Sequence, residues 1–311
     1  ALGTPLAYVM GVYRAKQKGI LIFNKDIFDK ILSVKNIFFD KTGTLTYGYL
    51  RIKNISPYNE DFINIILNLE KFSDHPVALA LRRKYFSIYK DIGLAVTDLP
   101  GSGVSASIGA DVYEFVRSLN ASETSSTLFK NGVNILDISF EDAVREDSAS
   151  VVLSLKKYFR HIFLLSGDNE ATSQEIATQC GIECLFSEHS PQMKLSVIEA
   201  NQPALMVGDG LNDALALQAA SVGISVQGSV QLCSDSSDAY LLKKGIAQIL
   251  VLMTIARSVR KTVYLNFTIS LIYNLSAGTL ALLGVINPLM AAILMPMSSI
   301  FILLNTWRGV R

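Results

Sequence analysis

The charged and apolar positions of the chain are distributed unevenly. Between Lys261 and Arg308 there is no Lys, Arg, Asp, Glu or His over 46 residues. A membrane-crossing helix needs about 20 apolar residues, so this stretch predicts two crossings, at residues 264–283 and 288–304, with a break near Gly284. Basic residues flank the outer ends and not the break, which predicts that both ends are cytoplasmic. The alternative is a helical hairpin buried in a large soluble core.

Residues 1–12 are also apolar and uncharged, and Arg14, Lys16 and Lys18 follow them. This pattern is typical of the cytoplasmic end of a further crossing, although it is too short to span a bilayer alone. No charged segment precedes the apolar run, so we expect no signal peptide and a start that lies inside a longer protein.

Residues 24–244 alternate short β-rich apolar runs with helical stretches, which is typical of a parallel α/β sheet. The alternation is interrupted between residues 47 and 141, where other apolar runs and a turn signal at Asn131-Gly132 predict an inserted domain. The expected domains are 1–23 (the end of a membrane helix and a linker), 24–46 and 142–250 (the two parts of the α/β domain), 47–141 (the insert) and 251–311 (the membrane hairpin).

The composition excludes several classes of function. The 311 residues are 50% hydrophobic and 18% charged, with a mean hydropathy of +0.34 and a formal net charge of +1. The apolar balance excludes extensive disorder, and without a basic stripe we expect no nucleic-acid partner. The Cys and His residues lack the spacing of a zinc ribbon or a disulfide framework, so Cys180 and Cys184 are interpreted as small buried hydrophobic residues.

Three polar clusters each follow an apolar run that is predicted to be a strand. They occupy residues 40–46 (DKTGTLT), 166–168 (SGD) and 209–213 (DGLND). The carboxyl ends of parallel strands meet at one edge of a sheet, where ligands bind, so the clusters are expected to converge. Any one of them alone would more often be a simple turn, because Asp-Gly pairs favour turns.

Together the clusters resemble the haloacid dehalogenase superfamily, and DKTGTLT resembles the phosphorylation signature of P-type ATPases. A carboxylate can attack a phosphoryl group when Mg²⁺ offsets the repulsion between the two anions, and Asp40 is the predicted nucleophile. Asp209 and Asp213 can bring carboxylates to the same Mg²⁺. The resemblance adds Asp40 and the Thr42 carbonyl to these ligands. It also implies that the catalytic residues are Asp40, Lys41, Thr42, Ser166, Gly167, Asp168, Lys194 and Asn212. The alternative for Lys194 is a solvated surface residue.

The residue two positions after the nucleophile separates two kinds of enzyme. Many phosphatases of this superfamily have a second Asp there as general acid and base, and this chain has Thr42. Without that proton shuttle an aspartyl phosphate should persist long enough to be coupled to a conformational change. The residue therefore favours transport over simple hydrolysis.

The insert carries a second set of motifs. Residues 73–76 (SDHP) resemble the Ser-Glu-His-Pro signature of the nucleotide-binding domain in heavy-metal P-type ATPases, and Glu70 precedes them at the spacing of that family. Residues 101–103 match its Gly-x-Gly loop. The resemblance implies an α+β domain that binds ATP through Glu70, His75, Pro76, Gly101 and Gly103. The alternative for His75 alone is a helix cap or a packed side chain.

The predicted membrane hairpin contains polar residues, which are costly in a bilayer and often mark transport sites. Tyr273 and Asn274 in the first helix, with Met295 and Ser298 in the second, match the copper branch of the heavy-metal P-type ATPases. A thioether is a soft ligand that suits Cu(I), and the carboxylate or Lys expected of a zinc or cadmium pump is absent from residues 262–307. Cu(I) is therefore the expected transported ion, and polar packing between helices is the alternative.

As a whole, the chain resembles the carboxyl-terminal half of a copper-transporting P-type ATPase. The implied fold is α/β, a haloacid dehalogenase-like parallel sheet with an inserted α+β nucleotide-binding domain, plus transmembrane helices. The implied cofactors are ATP and Mg²⁺, the implied partners are membrane lipid, Cu(I) and a copper chaperone, and the implied location is the cell (inner) membrane, multi-pass, with cytoplasmic catalytic domains.

The sequence does not contain the actuator domain or the earlier helices of that family, so this fragment alone is not expected to pump. Two alternatives remain. One is a membrane-anchored phosphatase of the same superfamily, and the other is a nucleotide-binding remnant that does not pump.

Overall fold

The computed structural model describes residues 3–99, 102–117, 124–209, 212–227, 234–285 and 287–310, without the side chains of residues 117, 124, 227, 288, 291, 292 and 295. The chain divides into two compact units. Unit 1 contains Ala1–Leu45, Glu146–Asp168 and Ala177–Arg311, and unit 2 contains Thr46–Arg145 and Asn169–Ile176. Unit 2 thus covers the segment that was predicted to be an insert and also a short stretch after the second polar cluster.

A seven-stranded sheet lies at the centre of unit 1. Its strands are β1 (Ile20–Ile22), β2 (Asn36–Asp40), β9 (His161–Leu165), β10 (Cys184–Phe186), β11 (Ala204–Asp209), β12 (Val222–Gln227) and β13 (Ala239–Leu241). They follow the order β1-β13-β12-β11-β2-β9-β10, and every neighbouring pair except β1–β13 is parallel. Inner strands such as β2 and β11 are continuous buried apolar runs, as expected for a parallel sheet that is covered on both faces. The predicted α/β class is confirmed.

Short helices connect these strands. They are α2 (Ile27–Lys30), α5 (Ser148–Leu155), α6 (Glu170–Cys180), α7 (Pro191–Ala200) and α8 (Ala214–Ala219). The hydroxyl oxygen of Ser190 caps α7 by accepting the Met193 N–H, and Pro191 occupies the first helical position. This start places Lys194 in the first turns of α7.

Unit 2 is an antiparallel sheet that packs against helices. Its strands are β3 (Thr46–Ser56), β4 (Thr97–Leu99), β5 (Gly103–Ile108), β6 (Asp111–Arg117), β7 (Thr124–Lys130) and β8 (Val133–Val144), in the order β3-β8-β7-β6-β5-β4. Two helices, α3 (Glu60–Leu69) and α4 (Pro76–Tyr85), share its apolar core. The predicted turn at Asn131-Gly132 joins β7 to β8, with positive φ values of 52° and 79°. This is the geometry that favours Asn-Gly in two-residue hairpins.

Three longer helices belong to unit 1: α1 (Gly3–Gln17), α9 (Gln248–Leu282) and α10 (Pro288–Gly309). The helix that contains the first predicted crossing was expected to begin near residue 264. This boundary is wrong, because α9 begins at Gln248. Its first turns bury apolar residues such as Leu252 and Val259 in unit 1. The charged residues that end the apolar stretch therefore lie inside a continuous helix.

The predicted break between the two helices is confirmed. The Val285 N–H donates to the Leu280 carbonyl, and the Gly284 N–H donates to the Ala281 carbonyl. These two bonds form a Schellman motif, with Gly284 in the left-handed conformation at φ 73°. The side chain of Asn287 then caps α10 by accepting the Met290 N–H at 2.8 Å.

Among the described residues, α9 is the one helix that is long and apolar enough to cross a membrane by length and composition. Only 6% of its apolar window is buried. This exposure disfavours the soluble-core alternative, because a core hairpin is apolar on all sides only where protein covers it. The second predicted crossing corresponds to α10 and stays a prediction.

Candidate active site

The three polar clusters lie at one edge of the central sheet, with the cluster that begins at Asp40 between the other two. Asp40 ends β2, whose neighbours are β11, which ends at Asp209, and β9, which Ser166 follows. The three strands are parallel, so their carboxyl ends lie on the same side. Asp40 therefore occupies the centre of the edge at which ligands bind in open α/β sheets.

The loop after Asp40 is a tight turn. Thr42 has φ −75° and ψ 122°, and Gly43 has φ 75° and ψ −10°, which are the values of a type II turn. A positive φ at the second position strains any residue with a Cβ, so this turn explains the glycine of DKTGT. The Ser148 hydroxyl donates to the Leu45 carbonyl at 2.8 Å and fixes the end of the loop.

Lys194 bridges two buried carboxylates. Its Nζ lies 2.6 Å from Asp40 Oδ1 and 2.7 Å from Asp213 Oδ1. None of the three residues is more than 7% exposed. Lys194 is therefore not the solvated surface residue that the alternative interpretation suggested, and it holds the ammonium group directly against the predicted nucleophile.

This cluster holds more negative charge than Lys194 offsets. Burial and the charge of Asp213 raise the pKa of Asp40 by more than Lys194 lowers it. Burial likewise raises the pKa of Asp213. Burial by itself lowers the pKa of Lys194, but the two carboxylates raise it by more, so that the ammonium form is favoured. The site is therefore electrostatically suited to an additional cation.

The third cluster is arranged around Asp213. The Asp209 N–H donates to Asp213 Oδ2 at 3.2 Å, and Asn212 Nδ2 donates to Asp209 Oδ2 at 3.3 Å. A Cβ on Gly208 would lie 2.5 Å from Asp213 Oδ2, so the glycine is needed for Asp213 to reach the crevice. Both Asp213 oxygens accept hydrogen bonds within the cluster, while Asp209 is half-buried at its rim.

The second cluster, residues 166–168, is held by a hydrogen bond within the loop and by an ion pair with Lys41 of the first cluster. The Ser166 hydroxyl oxygen accepts the Asp168 N–H at 3.1 Å, and the Asp168 carboxylate forms an ion pair with Lys41. The position that a Cβ on Gly167 would occupy is 3.4 Å from the His189 carbonyl oxygen. Lys41 thus connects the nucleophile turn to the loop that follows β9.

The residues at this edge fit a magnesium ion. Mg²⁺ takes oxygen ligands and is usually held by one or two carboxylates together with substrate phosphates and water. Lys194 brings the Asp40 and Asp213 carboxylates together, and the Asp209 N–H donates to Asp213. The predicted ligand set of Asp40, Thr42, Asp209 and Asp213 is chemically compatible with Mg²⁺ and stays a prediction. In the described part of the chain, no three His, Cys, Asp or Glu side chains form a metal-holding group by themselves.

Four of the five predicted nucleotide-binding residues lie in the described part of unit 2, and Gly101 lies outside the described residues. Glu70 is buried at the carboxyl end of α3. His75 precedes α4, where its Nδ1 accepts the Val77 N–H at 3.3 Å, and Pro76 begins the helix. His75 is therefore a helix cap, and its neutral ring carries the proton on Nε2.

Arg82 holds the turn between α3 and α4, which the motif analysis missed. Its guanidinium donates to the Lys71 carbonyl at 3.2 Å and to the Ser73 carbonyl. These contacts fix the backbone just before His75. No motif could have identified this role, because the contacts are to main-chain atoms and any sequence offers them.

Gly103 lies where β5 and β6 approach each other too closely for a side chain. It pairs with Val116, and a Cβ there would overlap the Phe115 carbonyl oxygen and lie 2.9 Å from Val116 Cα. The glycine is therefore required by the sheet itself, independently of any ligand.

The predicted ion-path residues lie on α9 and α10. Tyr273 is half-buried, and exposed Asn274 donates to Ser270 Oγ of its own helix at 3.4 Å. Ser298 is half-buried on α10. Met295 belongs to the same helix, and its side chain lies outside the described residues. Pro296 interrupts the hydrogen-bond ladder of α10 next to these positions.

A buried polar network between α9 and α10 was missed by the sequence analysis. Asn266 Nδ2 donates to Thr306 Oγ1 at 2.6 Å, and Asn305 Nδ2 donates to Asn266 Oδ1 at 2.7 Å. Asn266 and Thr306 are almost fully buried. The rule that singled out Tyr273 and Asn274, a polar side chain in an uncharged helix, would also have found Asn266 and Asn305.

Comparisons with known proteins agree with this geometry. A family model for haloacid dehalogenase-like hydrolases matches residues 34–221. The cation-transporting P-type ATPase B of Mycobacterium leprae is 28% identical over 99% of this chain and 44% of its own length. The copper-exporting P-type ATPase of the same organism is 27% identical over 99% of this chain and 43% of its own length.

A solved structure shares the fold over nearly the whole chain. The zinc-transporting PIB-type ATPase in its E2.Pi state aligns with a TM-score of 0.88, at 24% identity, over 99% of this chain and 55% of that chain. The present chain thus spans less than half the length of the two curated relatives.

Proposed function

The chain belongs to the haloacid dehalogenase-like hydrolases, and we propose that it is the catalytic and carboxyl-terminal membrane part of a heavy-metal P-type ATPase. The similarity to cation- and copper-transporting P-type ATPases over 99% of the chain supports this proposal. One arrangement carries the proposal. Asp40 ends the central parallel strand with Lys194 at 2.6 Å, and Thr42 stands where a hydrolytic relative has a second Asp. This arrangement suits an aspartyl phosphate that forms and then persists.

The chemical step is a phosphoryl transfer to Asp40. A carboxylate oxygen attacks the γ-phosphorus of ATP, the bond from that phosphorus to the bridging oxygen breaks, and ADP leaves with the electron pair. Lys194 stabilises the negative charge that develops on the transferred group. Mg²⁺ held by Asp40, Thr42, Asp209 and Asp213 would offset the repulsion between the carboxylate and the phosphates when bound.

The side chain at position 42 distinguishes the proposed ATPase from the phosphatase alternative. Hydrolysis of an aspartyl phosphate needs a base that activates water, and the Thr42 hydroxyl cannot serve as one near neutral pH. Thr42 is exposed on the type II turn, so a carboxylate fits at this position. We therefore expect the acyl phosphate to be long-lived in this chain and short-lived in Thr42→Asp.

A labelled-ATP experiment tests the proposed function. The chain is incubated with γ-labelled ATP and Mg²⁺ and quenched in acid, and it should retain label that hydroxylamine releases. A folded chain that retains no label would support the nucleotide-binding remnant. Rapid release of labelled inorganic phosphate without retained label would instead support the phosphatase, whereas the remnant should release none.

We propose that unit 2 binds the ATP, through Glu70, His75, Pro76 and the glycines at 101 and 103. The cap of α4 fixes the His75 ring at a half-buried position where it can stack on a base. Glycine at 103 allows the backbone to approach the nucleotide.

Gly103→Ala should weaken both the sheet and nucleotide binding. The added Cβ overlaps the β6 backbone, and overpacking of this kind costs about 1–3 kcal/mol. Hydrogen exchange of the β5 and β6 peptides should therefore accelerate, and calorimetry should show a weaker ATP complex. Ser107→Ala, at an exposed position of the same strand, is the matched control. Unchanged exchange in Gly103→Ala would contradict the steric argument.

We propose Cu(I) as the transported ion, with Tyr273, Asn274, Met295 and Ser298 along its path. Residues 262–307 contain no charged side chain. The thioether sulfur of a Met is a soft ligand, so it binds Cu(I) better than it binds Zn²⁺. The membrane location agrees with the relatives and with α9. The multi-pass inner-membrane topology with cytoplasmic catalytic units, and delivery by a copper chaperone, remain part of this proposal.

Metal retention distinguishes the ions. The chain in lipid nanodiscs should retain Cu(I) from a buffered solution in preference to Zn²⁺, and Asn274→Ala should reduce that retention several-fold. Ser276→Ala, which removes an exposed polar group two residues away, should not. Preferential retention of Zn²⁺, or equal loss in both variants, would refute the copper assignment.

A further inference from the structure

A cavity of about 380 Å³ lies on unit 1 where α9 leaves the catalytic core. Three cationic residues of α9, Arg257, Arg260 and Lys261, line it together with Tyr264, one helical turn further on. These residues are spaced three, four and seven apart, so they share one face of the helix. Tyr158, which follows α5, also lines it.

The positive charge of this cavity is not neutralised by protein. In the described part of the chain, none of the three cations forms an ion pair with a carboxylate. The Arg257 guanidinium lies 4.3 Å from the centre of the Tyr158 ring, and the Arg260 guanidinium 5.7 Å from that of Tyr264. A cation–π contact uses no N–H donor for an ion pair, and the planar fork of Arg suits phosphate oxygens.

The cavity lies where α9 changes from a helix buried in unit 1 to an exposed, mainly apolar helix. Before Arg257, residues such as Leu252 and Met253 are buried in unit 1. Beyond Tyr264, the same face of the helix continues with the exposed apolar residues Phe267 and Leu271, which are 67% and 50% exposed, beside the exposed Thr268. A ligand that fills the cavity would therefore meet cations at one end and an apolar helix surface at the other.

We propose that the cavity binds the phosphate headgroup of an anionic membrane phospholipid, with its acyl chains along the apolar part of α9. The proposal rests on the membrane location assigned above. Basic pockets at the cytoplasmic ends of membrane helices bind such headgroups, and Tyr is favoured at the same depth. A nucleotide or free phosphate would use the cations but not the adjoining apolar surface.

The bound headgroup would join two parts of unit 1. Arg257 and Lys261 belong to α9, whereas Tyr158 belongs to the segment between α5 and β9, and β9 leads to the Ser166 loop of the active site. A phosphate bound there would add a contact at this junction to the buried packing of Leu252 and Val259.

The test compares two double variants with the same loss of charge. Arg257→Gln/Lys261→Gln removes two cations from the cavity. Lys16→Gln/Arg308→Gln removes one Lys and one Arg that lie outside it, both exposed and near the ends of the membrane helices. Each protein is placed in nanodiscs of phosphatidylcholine with increasing phosphatidylglycerol, and bound phosphatidylglycerol is quantified after affinity capture. The cavity variant should bind phosphatidylglycerol roughly 30-fold more weakly than the parent chain, because it loses charge-assisted contacts to the phosphate. The control variant loses only the diffuse attraction that all four cations share, so its affinity should fall much less.

Three results would overturn the proposal. The control variant could lose as much affinity as the cavity variant, which would indicate a diffuse charge effect. Arg257→Lys, which retains the charge and serves if the double variant fails to fold, could bind as tightly as the parent chain. Millimolar inorganic phosphate could displace the lipid completely, which would assign the site to a soluble anion.

The same measurement in Asp40→Asn separates this inference from the proposed function. Lipid binding requires α9 in a bilayer but no phosphorylation, so it should persist in that variant. A chain that binds phosphatidylglycerol but forms no aspartyl phosphate would refute the enzyme assignment alone. A chain that phosphorylates but shows no preference for phosphatidylglycerol would refute the lipid site alone.

Discussion

Asp40→Asn should abolish phosphorylation by ATP. The amide has nearly the shape of the carboxylate but is not a nucleophile toward phosphorus, so labelling should fall by roughly 10⁴-fold or more. The readout is acid-stable, hydroxylamine-labile label from γ-labelled ATP. Asp137→Asn, the same substitution at an exposed position of unit 2, should label like the parent chain. Residual labelling of Asp40→Asn at the parent level would place the nucleophile elsewhere.

The same variant should remain folded, which separates lost chemistry from lost structure. Burial and Asp213 raise the pKa of Asp40, so its ionised form is less stable in the folded protein than in the unfolded chain. This cost is present above the unfolded pKa of about 3.9. Asn removes the charge, and Lys194 retains Asp213 as a partner. Without Mg²⁺ near neutral pH, the thermal midpoint of Asp40→Asn should be at least that of the parent chain.

Lys194→Met should impair both the reaction and the fold. Removing the ammonium leaves Asp40 and Asp213 buried without their shared cation, and breaking such a contact costs about 3–5 kcal/mol. Phosphorylation should slow by roughly 10²- to 10³-fold, because the developing charge on the phosphoryl group loses its nearest donor. Urea unfolding and rapid-quench labelling measure the two effects. Lys157→Met, at an exposed position, is the control and should change neither.

The double variant Lys194→Met/Asp213→Asn separates the two roles of Lys194. Neutralising Asp213 removes part of the uncompensated charge, so stability should largely return. The rate should stay low, because the double variant lacks both the ammonium group beside Asp40 and a proposed Mg²⁺ ligand. The returning stability is therefore the readout that assigns charge balance to Lys194. Recovery of both properties would mean that Lys194 only balances charge, and an unchanged stability of the single variant would contradict its role as a bridge.

The sequence was most informative where local chemistry is decisive. The apolar runs before Asp40, Ser166 and Asp209 predict parallel strands whose ends converge, and the structure has these strands side by side. The turn at Asn131-Gly132 and the helix break at Gly284 were also predicted, because both need residues that tolerate positive φ. Each of these features depends on a few neighbouring residues.

Features that depend on distant partners were not predictable. From the hydropathy pattern, the helix was expected to begin after the charged residues Arg257 and Lys261. In the structure α9 begins at Gln248, because the turns before Arg257 bury residues such as Leu252 in unit 1. Likewise, the sequence could suggest that Lys194 meets a phosphate but not that it already bridges Asp40 and Asp213. Those carboxylates lie 154 and 19 residues away in the chain, and no periodicity encodes such contacts.

The continuity of α9 has a mechanical consequence. Its 35 residues contain no proline, and at about 1.5 Å per residue they form a rod roughly 52 Å long. The first turns of α9 are buried in unit 1 and so are fixed to it, whereas the residues of its last turns are exposed. A tilt of about 5° at the clamped end would sweep the free end through roughly 4–5 Å, close to one full helical turn. If the proposed phosphorylation of Asp40 strains this edge of the sheet, the continuous helix would convert that small strain into a displacement of several ångströms at its far end.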